Sequence, residues 1–297
     1  FFFKQKTAYE MIWWLEFRRV LFRSFRGSSL SSLNRVSETI EAYTQAIKIY
    51  PDFKFSYNSR GLSYMNLQKY QQAIDDFTQA IQLDPKNADY YQSRGLAYSL
   101  FNKHQQAIDD FTQAIQFDPK NADYYESRGH AYSGLKNYQE AITDFTKAIQ
   151  LDPKNAQYYN ARGLQYGSLE DYKKAIEDIT EAIRLDDKSV LYYAFRGIAY
   201  LGLKEYKQAI SDLTETIRRD PKNAPYTVRG LRYSEFKDNK IFISSYNKQI
   251  SLVYVTRGNT YFKLKEYKQA IDDYTQAIKL DPKNAIYYNA RGTTYSQ

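Results

Sequence analysis

Nine arginines stand directly before a glycine, at Arg26, Arg60, Arg94, Arg128, Arg162, Arg196, Arg229, Arg257 and Arg291. Aspartates recur as regularly, at Asp76, Asp110, Asp144, Asp178, Asp212 and Asp273. A guanidinium is a planar fork that a carboxylate meets with two hydrogen bonds. The two rows can therefore pair with each other, or the arginines can be displayed to bind acidic ligands. Little else in the chain could do chemistry. There is no cysteine, hence no disulfide and no thiolate. The two histidines, His104 and His130, have no His or Cys partner at metal-ligand spacing. No Ser–His–Asp set, paired catalytic acids or phosphate-binding loop is present. The expectation is a protein that is not an enzyme and holds no metal or cofactor.

The elements that position these rows repeat. Gly27, Gly61, Gly95, Gly129, Gly163, Gly197, Gly230, Gly258 and Gly292 are spaced by 34, 34, 34, 34, 34, 33, 28 and 34 residues. A period of this size marks a stacked repeat array. In the copy Ala88–Asn121, Tyr91, Gly95 and Tyr98 fall on one face of a first helix, and Ala107, Phe111 and Ala114 on one face of a second. Phe101, Asn102 and Lys103 allow a tight turn between them. Asp118-Pro119-Lys120-Asn121 ends the second helix, because proline lacks a donor and disfavours helix in the residue before it. Small residues let the helices approach and aromatics fill the space beside them, so Phe111 is expected to be buried between its own hairpin and the next. One hairpin cannot bury its apolar face alone; stacked neighbours bury it continuously. The Arg and Asp rows then predict a ladder of pairs between the helices of neighbouring hairpins.

The pattern Tyr91, Gly95, Tyr98, Ala107, Phe111, Ala114 and Pro119 resembles the tetratricopeptide repeat (TPR), over about residues 25 to 297. The resemblance implies an all-α fold, a right-handed superhelical solenoid of stacked antiparallel helix pairs. It also implies a non-enzymatic protein–protein interaction scaffold, whose first helices line a concave groove holding a peptide segment of a partner. By offset the groove residues are Asp89, Gln92, Leu96 and Ser99, then Asp123, Glu126, His130 and Ser133. Gln157, Asn160 and Leu164 follow, and after them Leu191, Ala194, Ile198 and Leu201. The groove is thus acidic and polar over 89–133 and apolar over 191–201. It suits a segment with basic residues at one end and aliphatic residues at the other. One subclass clamps a C-terminal carboxylate with lysines and asparagines. Here only Asn259 fits, and Val255 stands where a lysine would be wanted, so that clamp is not expected. The same repeats also fit a spacer or adaptor region of a larger enzyme or secretion protein, or an RNA-binding helical repeat.

Copies are expected at 25–53 (partial), 54–87, 88–121, 122–155, 156–189, 190–223, 224–250 (eroded), 251–284 and 285–297 (partial), so the chain reads as a fragment open at both ends. Residues 1–24 stand apart. Lys4–Glu10 and Leu15–Ser24 read as translations of a sequencing primer and its adapter, so the segment is expected to be non-native and is excluded from the fold. It carries five Lys/Arg and two Glu, which leaves +5 of the formal +8 to the array. The array's lysines sit mostly at turns and its tyrosines fall on packing positions, so the 31 tyrosines do not predict nucleic-acid binding. No run of 18 apolar residues predicts a membrane-spanning helix. The lack of cysteine and of a signal sequence in the array favours the cytoplasm.

The 28-residue spacing between Gly230 and Gly258 lacks the turn that reads QLDPKN elsewhere. No glycine or proline lies between Leu231 and Arg257, which allows one continuous helix over about 239–263. Such a helix would carry Tyr254 and Tyr261 away from the hairpin they should pack on. The expectation is therefore that the helix unwinds near Asn247–Ile250, that Ser251 caps the next one, and that the groove divides there.

Overall fold

The computed structural model describes residues 33–219, 227–228, 231–232 and 240–297. The expectations for residues 1–24, for the start of the 25–53 copy and for most of the stretch 220–239 lie outside the described residues. Those described form fourteen helices and one short strand pair, in two compact units, residues 1–137 and 138–297.

In the first unit, α1 (Leu33–Ile49), α2 (Lys54–Asn66), α3 (Tyr70–Leu83), α4 (Ala88–Leu100), α5 (His104–Phe117) and α6 (Ala122–Gly134) follow one another through short connections. The asparagine after each Asp-Pro-Lys turn starts a helix. Asn87 and Asn121 accept the backbone N–H of Asp89 and Asp123 at 3.1 and 3.0 Å, which satisfies one of the free donors at the helix end. The turn inside each hairpin uses a left-handed residue, Gln68 or Asn102, both at φ 58°. That bend lets Lys69 and Lys103 donate back to the carbonyls of Tyr64 and Tyr98 at 2.9 and 2.8 Å.

The glycine of the repeat is a packing requirement. A Cβ on Gly61 would fall 2.7 Å from the ring of Phe77, and one on Gly95 would fall 2.7 Å from the ring of Phe111. Each phenylalanine of a second helix thus lies against the bare backbone of its own first helix. Phe111 is fully buried in a cluster with Ala107, Ile108 and Ala131, the last on α6. It is therefore buried between its own hairpin and the next, as the spacing predicts.

In the second unit, α7 (Tyr138–Leu151), α8 (Ala156–Ser168), α9 (Tyr172–Leu185), α10 (Val190–Gly202) and α11 (Tyr206–Arg218) repeat the pattern. Ile179 and Leu213 replace the phenylalanine, with their side chains 2.9 and 3.1 Å from where Cβ atoms on Gly163 and Gly197 would lie. Asp187 stands where other copies have proline. There Arg219 donates to the Asp187 carbonyl, pairs with Glu215 and lies 4.7 Å over the Tyr193 ring. Elsewhere the corresponding tyrosine hydroxyl donates to the proline carbonyl, as from Tyr91 to Pro85 at 3.0 Å.

After α11 come two strands of two residues, β1 (Thr227–Val228) and β2 (Leu231–Arg232), paired antiparallel. Then α12 (Lys240–Lys263), α13 (Tyr267–Leu280) and α14 (Ala285–Tyr295) complete the chain. The expected break near Asn247–Ile250 is absent: α12 is one helix of 24 residues. Nothing in this stretch stops a helix, and Ser251 does not cap one. Its hydroxyl donates to the Lys248 carbonyl at 2.8 Å within the helix and lies 3.1 Å from the Tyr287 hydroxyl. Nor are the tyrosines drawn off. Tyr254 and Tyr261 pack against the cluster of Val255, Ala270, Tyr274 and Tyr287. The C-terminal half of α12 is a regular first helix paired with α13.

This hairpin follows the 190–223 copy directly in the stack. Arg257 donates to Thr214 of α11 at 2.9 Å across 43 residues, where every other such bond spans 16. The difference of 27 residues is the length of 224–250, which is therefore inserted between two stacked neighbours. Removing 224–250 so that Asn223 precedes Ser251 should leave the melting temperature unchanged or raise it. A fall equivalent to more than about 1 kcal/mol, roughly 2–4 °C at this size, would make the segment part of the stack.

Candidate functional site

Among the described residues, five arginines of the row are engaged inside the fold. Arg60, Arg94, Arg162, Arg196 and Arg257 each donate from Nε and Nη2 to both oxygens of an aspartate sixteen residues later, at 2.6–2.8 Å. The partners are Asp76, Asp110, Asp178, Asp212 and Asp273. The expected ladder exists, but each of these pairs closes within one hairpin and not between neighbours. The link to the neighbour is the third nitrogen. Nη1 donates to a threonine on the preceding second helix, from Arg60 to Thr44, Arg94 to Thr78 and Arg128 to Thr112 in the first unit, at 3.0–3.1 Å. Arg162 and Arg196 do the same toward Thr146 and Thr180.

Tyrosines sandwich the guanidinium: Arg94 lies 5.9 Å from the ring centres of both Tyr91 and Tyr98. Burial pushes the Asp76 and Asp110 carboxyls above their ordinary value, and the hydrogen bond from the arginine offsets only part of this. Arg60, Arg162 and Arg196 are held above theirs, first by the bond to the aspartate. The bidentate geometry makes the charged pair the form present at neutral pH. In these five arginines the aspartate takes the Nε–Nη2 edge and a threonine takes Nη1, so most of each fork is engaged within the protein.

What the fold leaves open is the opposite face of the first helices. In the first unit Asp89, Leu96, Asp123 and His130 are exposed, and Gln92, Ser99, Glu126 and Ser133 are half-buried. Residues three and seven apart share a helix face, so Asp89, Gln92 and Leu96 share one on α4, and Asp123, Glu126 and His130 share one on α6. The Tyr124 hydroxyl donates to Asp89 at 2.9 Å, which brings the α4 carboxylate against α6. Burial and then this contact push the Tyr124 phenol up to about 12. His130 Nε2 lies 3.8 Å from Glu126.

In the second unit Gln157 is exposed, Asn160, Leu164 and Leu201 are half-buried, and Leu191 and Ile198 are 50% and 52% exposed. Ala194 is buried and presents almost no surface. Four residues of the same registers were not singled out from the sequence. Phe55 and Leu62 on α2 lie one period before Asp89 and Leu96; Leu252 on α12 and Ile286 on α14 lie in the register of Leu191. All four are exposed, by 50%, 45%, 59% and 68%. The repeat period itself was the signal for them. Among the described residues no group of three or more His, Cys, Asp or Glu could hold a metal ion, and no helix is long and apolar enough to cross a membrane.

Stacked helix hairpins with a buried polar ladder and an open first-helix face define a repeat scaffold for protein–protein interaction. Tetratricopeptide-repeat models match residues 55–87, 88–121, 122–155, 145–177, 191–223 and 251–284, and the chain belongs to the tetratricopeptide-repeat family. Among curated proteins, human serine/threonine-protein phosphatase 5 is 55% identical over 40 residues, 14% of this chain and 8% of the phosphatase. Rat small glutamine-rich tetratricopeptide repeat-containing protein beta is 50% identical over 40 residues, 14% of this chain and 13% of that protein. The matches therefore span only a small part of these relatives' length. Among solved structures, MamA is 25% identical with a TM-score of 0.53, over 56% of this chain and 97% of MamA. A tetratricopeptide repeat protein from Parabacteroides merdae reaches 0.61 at 16% identity, over 94% of this chain and 98% of its own. YrrB, described as a TPR protein with an unusual peptide-binding site, reaches 0.52 at 19% identity, over 61% of this chain and 94% of YrrB. The last two likenesses concern the fold alone.

Proposed function

We propose that the chain is a non-enzymatic scaffold that binds a peptide segment of a partner protein on the open faces of its first helices. The observation that carries this reading is a contrast between registers. The glycine, arginine and inner tyrosine positions of these helices are filled by packing, whereas the positions of Leu96, Leu191, Ile198, Leu252 and Ile286 keep 38–68% of an aliphatic side chain in water. Repeated exposure of large apolar residues in two registers of one helix face is the mark of a surface kept for a partner. YrrB, on the same fold, is described as having a peptide-binding site, an unusual one. The engagement of arginines and tyrosines in the ladder favours a protein partner over a nucleic acid. The test is selection of binders from a displayed random-peptide library on residues 25–297. Leu96→Glu and Ile198→Glu should each weaken selected peptides of their own unit at least tenfold, and Gln113→Glu, exposed on the second helix α5, should not. Peptides that ignore both first-helix changes would contradict the proposal.

A further inference from the structure

First helices receive their own second helix through one set of residues, and α14 shows the same set to solvent. In α4 the bare backbone of Gly95 lies against Phe111, and the Arg94 fork takes both oxygens of Asp110. Tyr91 and Tyr98, on either side, are half-buried. In α14 the same offsets hold Tyr288, Arg291, Gly292 and Tyr295, on one stripe of the helix. A Cβ on Gly292 would meet no other part of the protein within 4 Å. Tyr288 and Tyr295 are 43% and 66% exposed. Arg291 is set as its counterparts are: Nη1 donates to Thr275 at 3.2 Å, and the guanidinium lies 5.8 Å from the centre of the Tyr288 ring. Among the described residues, however, no carboxylate meets its Nε–Nη2 edge, and α14 itself has no Asp or Glu.

We propose that this stripe of α14 docks an amphipathic helix of a partner protein that carries an aspartate followed by a large apolar residue, with alanines one turn to either side. The pattern of the occupant is written in the chain. On α3 it is Ala73, Asp76, Phe77 and Ala80, all buried, and Asp followed by Phe, Ile, Leu or Tyr recurs at the same place in α5, α9, α11 and α13. The aspartate meets the planar Arg291 fork with two hydrogen bonds, and the apolar residue seats on the Gly292 backbone between the two tyrosines. This is a helix laid along a helix face and read at residues three and four apart. A second copy of the chain offers no such helix. In α1, Ala42 stands at the aspartate place. The aspartates of α3, α5, α9, α11 and α13 are held by their own arginines, and Asp144 is buried. The stripe is separate from the open first-helix face, to which Ile286 of α14 belongs, so the proposal does not rest on the peptide-binding reading above.

The probe is a fluorescein-labelled, end-blocked peptide with the sequence of α3, YQQAIDDFTQAIQL, titrated by anisotropy with the full chain. Two relatives replace the residue at the Asp76 place by Asn and that at the Phe77 place by Ala. The parent peptide should bind saturably and at least tenfold more tightly than either. Gly292→Leu in the protein should weaken the parent peptide at least tenfold without lowering the melting temperature, because the added side chain meets nothing until a helix docks. Arg291→Met should bind the Asp and Asn peptides alike, the signature of a direct pair between the two positions. Ile286→Ser, on the other face of α14, should change nothing. Absence of saturable binding, equal affinity for the Asn peptide, or an unaltered affinity in Gly292→Leu would overturn the proposal. Loss of binding in Ile286→Ser but not in Gly292→Leu would assign the peptide to the open first-helix face and also overturn it. Self-association of the full chain in sedimentation, abolished by Gly292→Leu, would replace the partner helix by a second copy and contradict the assigned occupant.

Discussion

Phe111→Ala is expected to lower the free energy of unfolding by about 3–5 kcal/mol, the range for removing a buried aromatic ring. The ring has no exposed surface and touches three helices: Ala107 and Ile108 lie on its own, Gly95 on α4 and Ala131 on α6. Gly95, Ala107 and Ala131 have little or no side chain to move into the void, so only Ile108, Tyr98 and Tyr132 can fill part of it. Because the ring joins one hairpin to the next, the variant should also unfold less cooperatively, in a broader urea transition. A loss below about 1 kcal/mol would mean that the hairpins are not held together through this position.

Arg94→Met should cost about 3 kcal/mol, at the lower end of the range for breaking a buried ion pair because the arginine is still 18% exposed. The methionine fills much of the space, but Asp110, with 6% of its side chain exposed, then has no counter-charge. Its carboxyl, already above its ordinary value through burial, rises further. A raised folded-state value means that the protonated form is the better tolerated one. The loss should therefore be greatest at neutral pH and shrink as pH falls through the raised value. The double variant Arg94→Met/Asp110→Leu should recover most of it, since replacing both partners leaves no orphan charge. A single variant as stable as the parent would assign the arginine row to ligand binding after all.

Much of this structure was legible from spacing. The period placed both helices of the hairpin, with Gly95 on the packed face of one and Phe111 on that of the other; their direct contact is seen in the structure. The Arg–Asp pairing was legible as chemistry but not as connectivity. A residue of a first helix can face the second helix of its own hairpin or that of a neighbour, and the rows repeat identically in both cases. The threonine at 78, sixteen residues before Arg94, carried the missing half of that information.

The α12 region was misread for a related reason. A continuous helix was expected to carry Tyr254 and Tyr261 away from the hairpin they should pack on, whereas their partners are on α13 and the neighbouring copy is the one ending at 223. With that neighbour the continuous helix leaves no aromatic unpacked. Asn121 was read as part of the end of a second helix, though its side chain, like that of Asn87, starts the next first helix. Phe55, Leu62, Leu252 and Ile286 share registers with the chosen face residues, and only strict use of the period from end to end would have included them.

The most direct test of the open first-helix face is hydrogen–deuterium exchange of residues 25–297 with and without a library-selected peptide. Slower exchange is expected in first helices, such as Ala88–Leu100 and Ala122–Gly134 for a peptide of the first unit or Val190–Gly202 for one of the second, with Tyr70–Leu83 and His104–Phe117 changed far less. Protection centred on those second helices instead would place the partner on the other side of the array and contradict the assignment of the face.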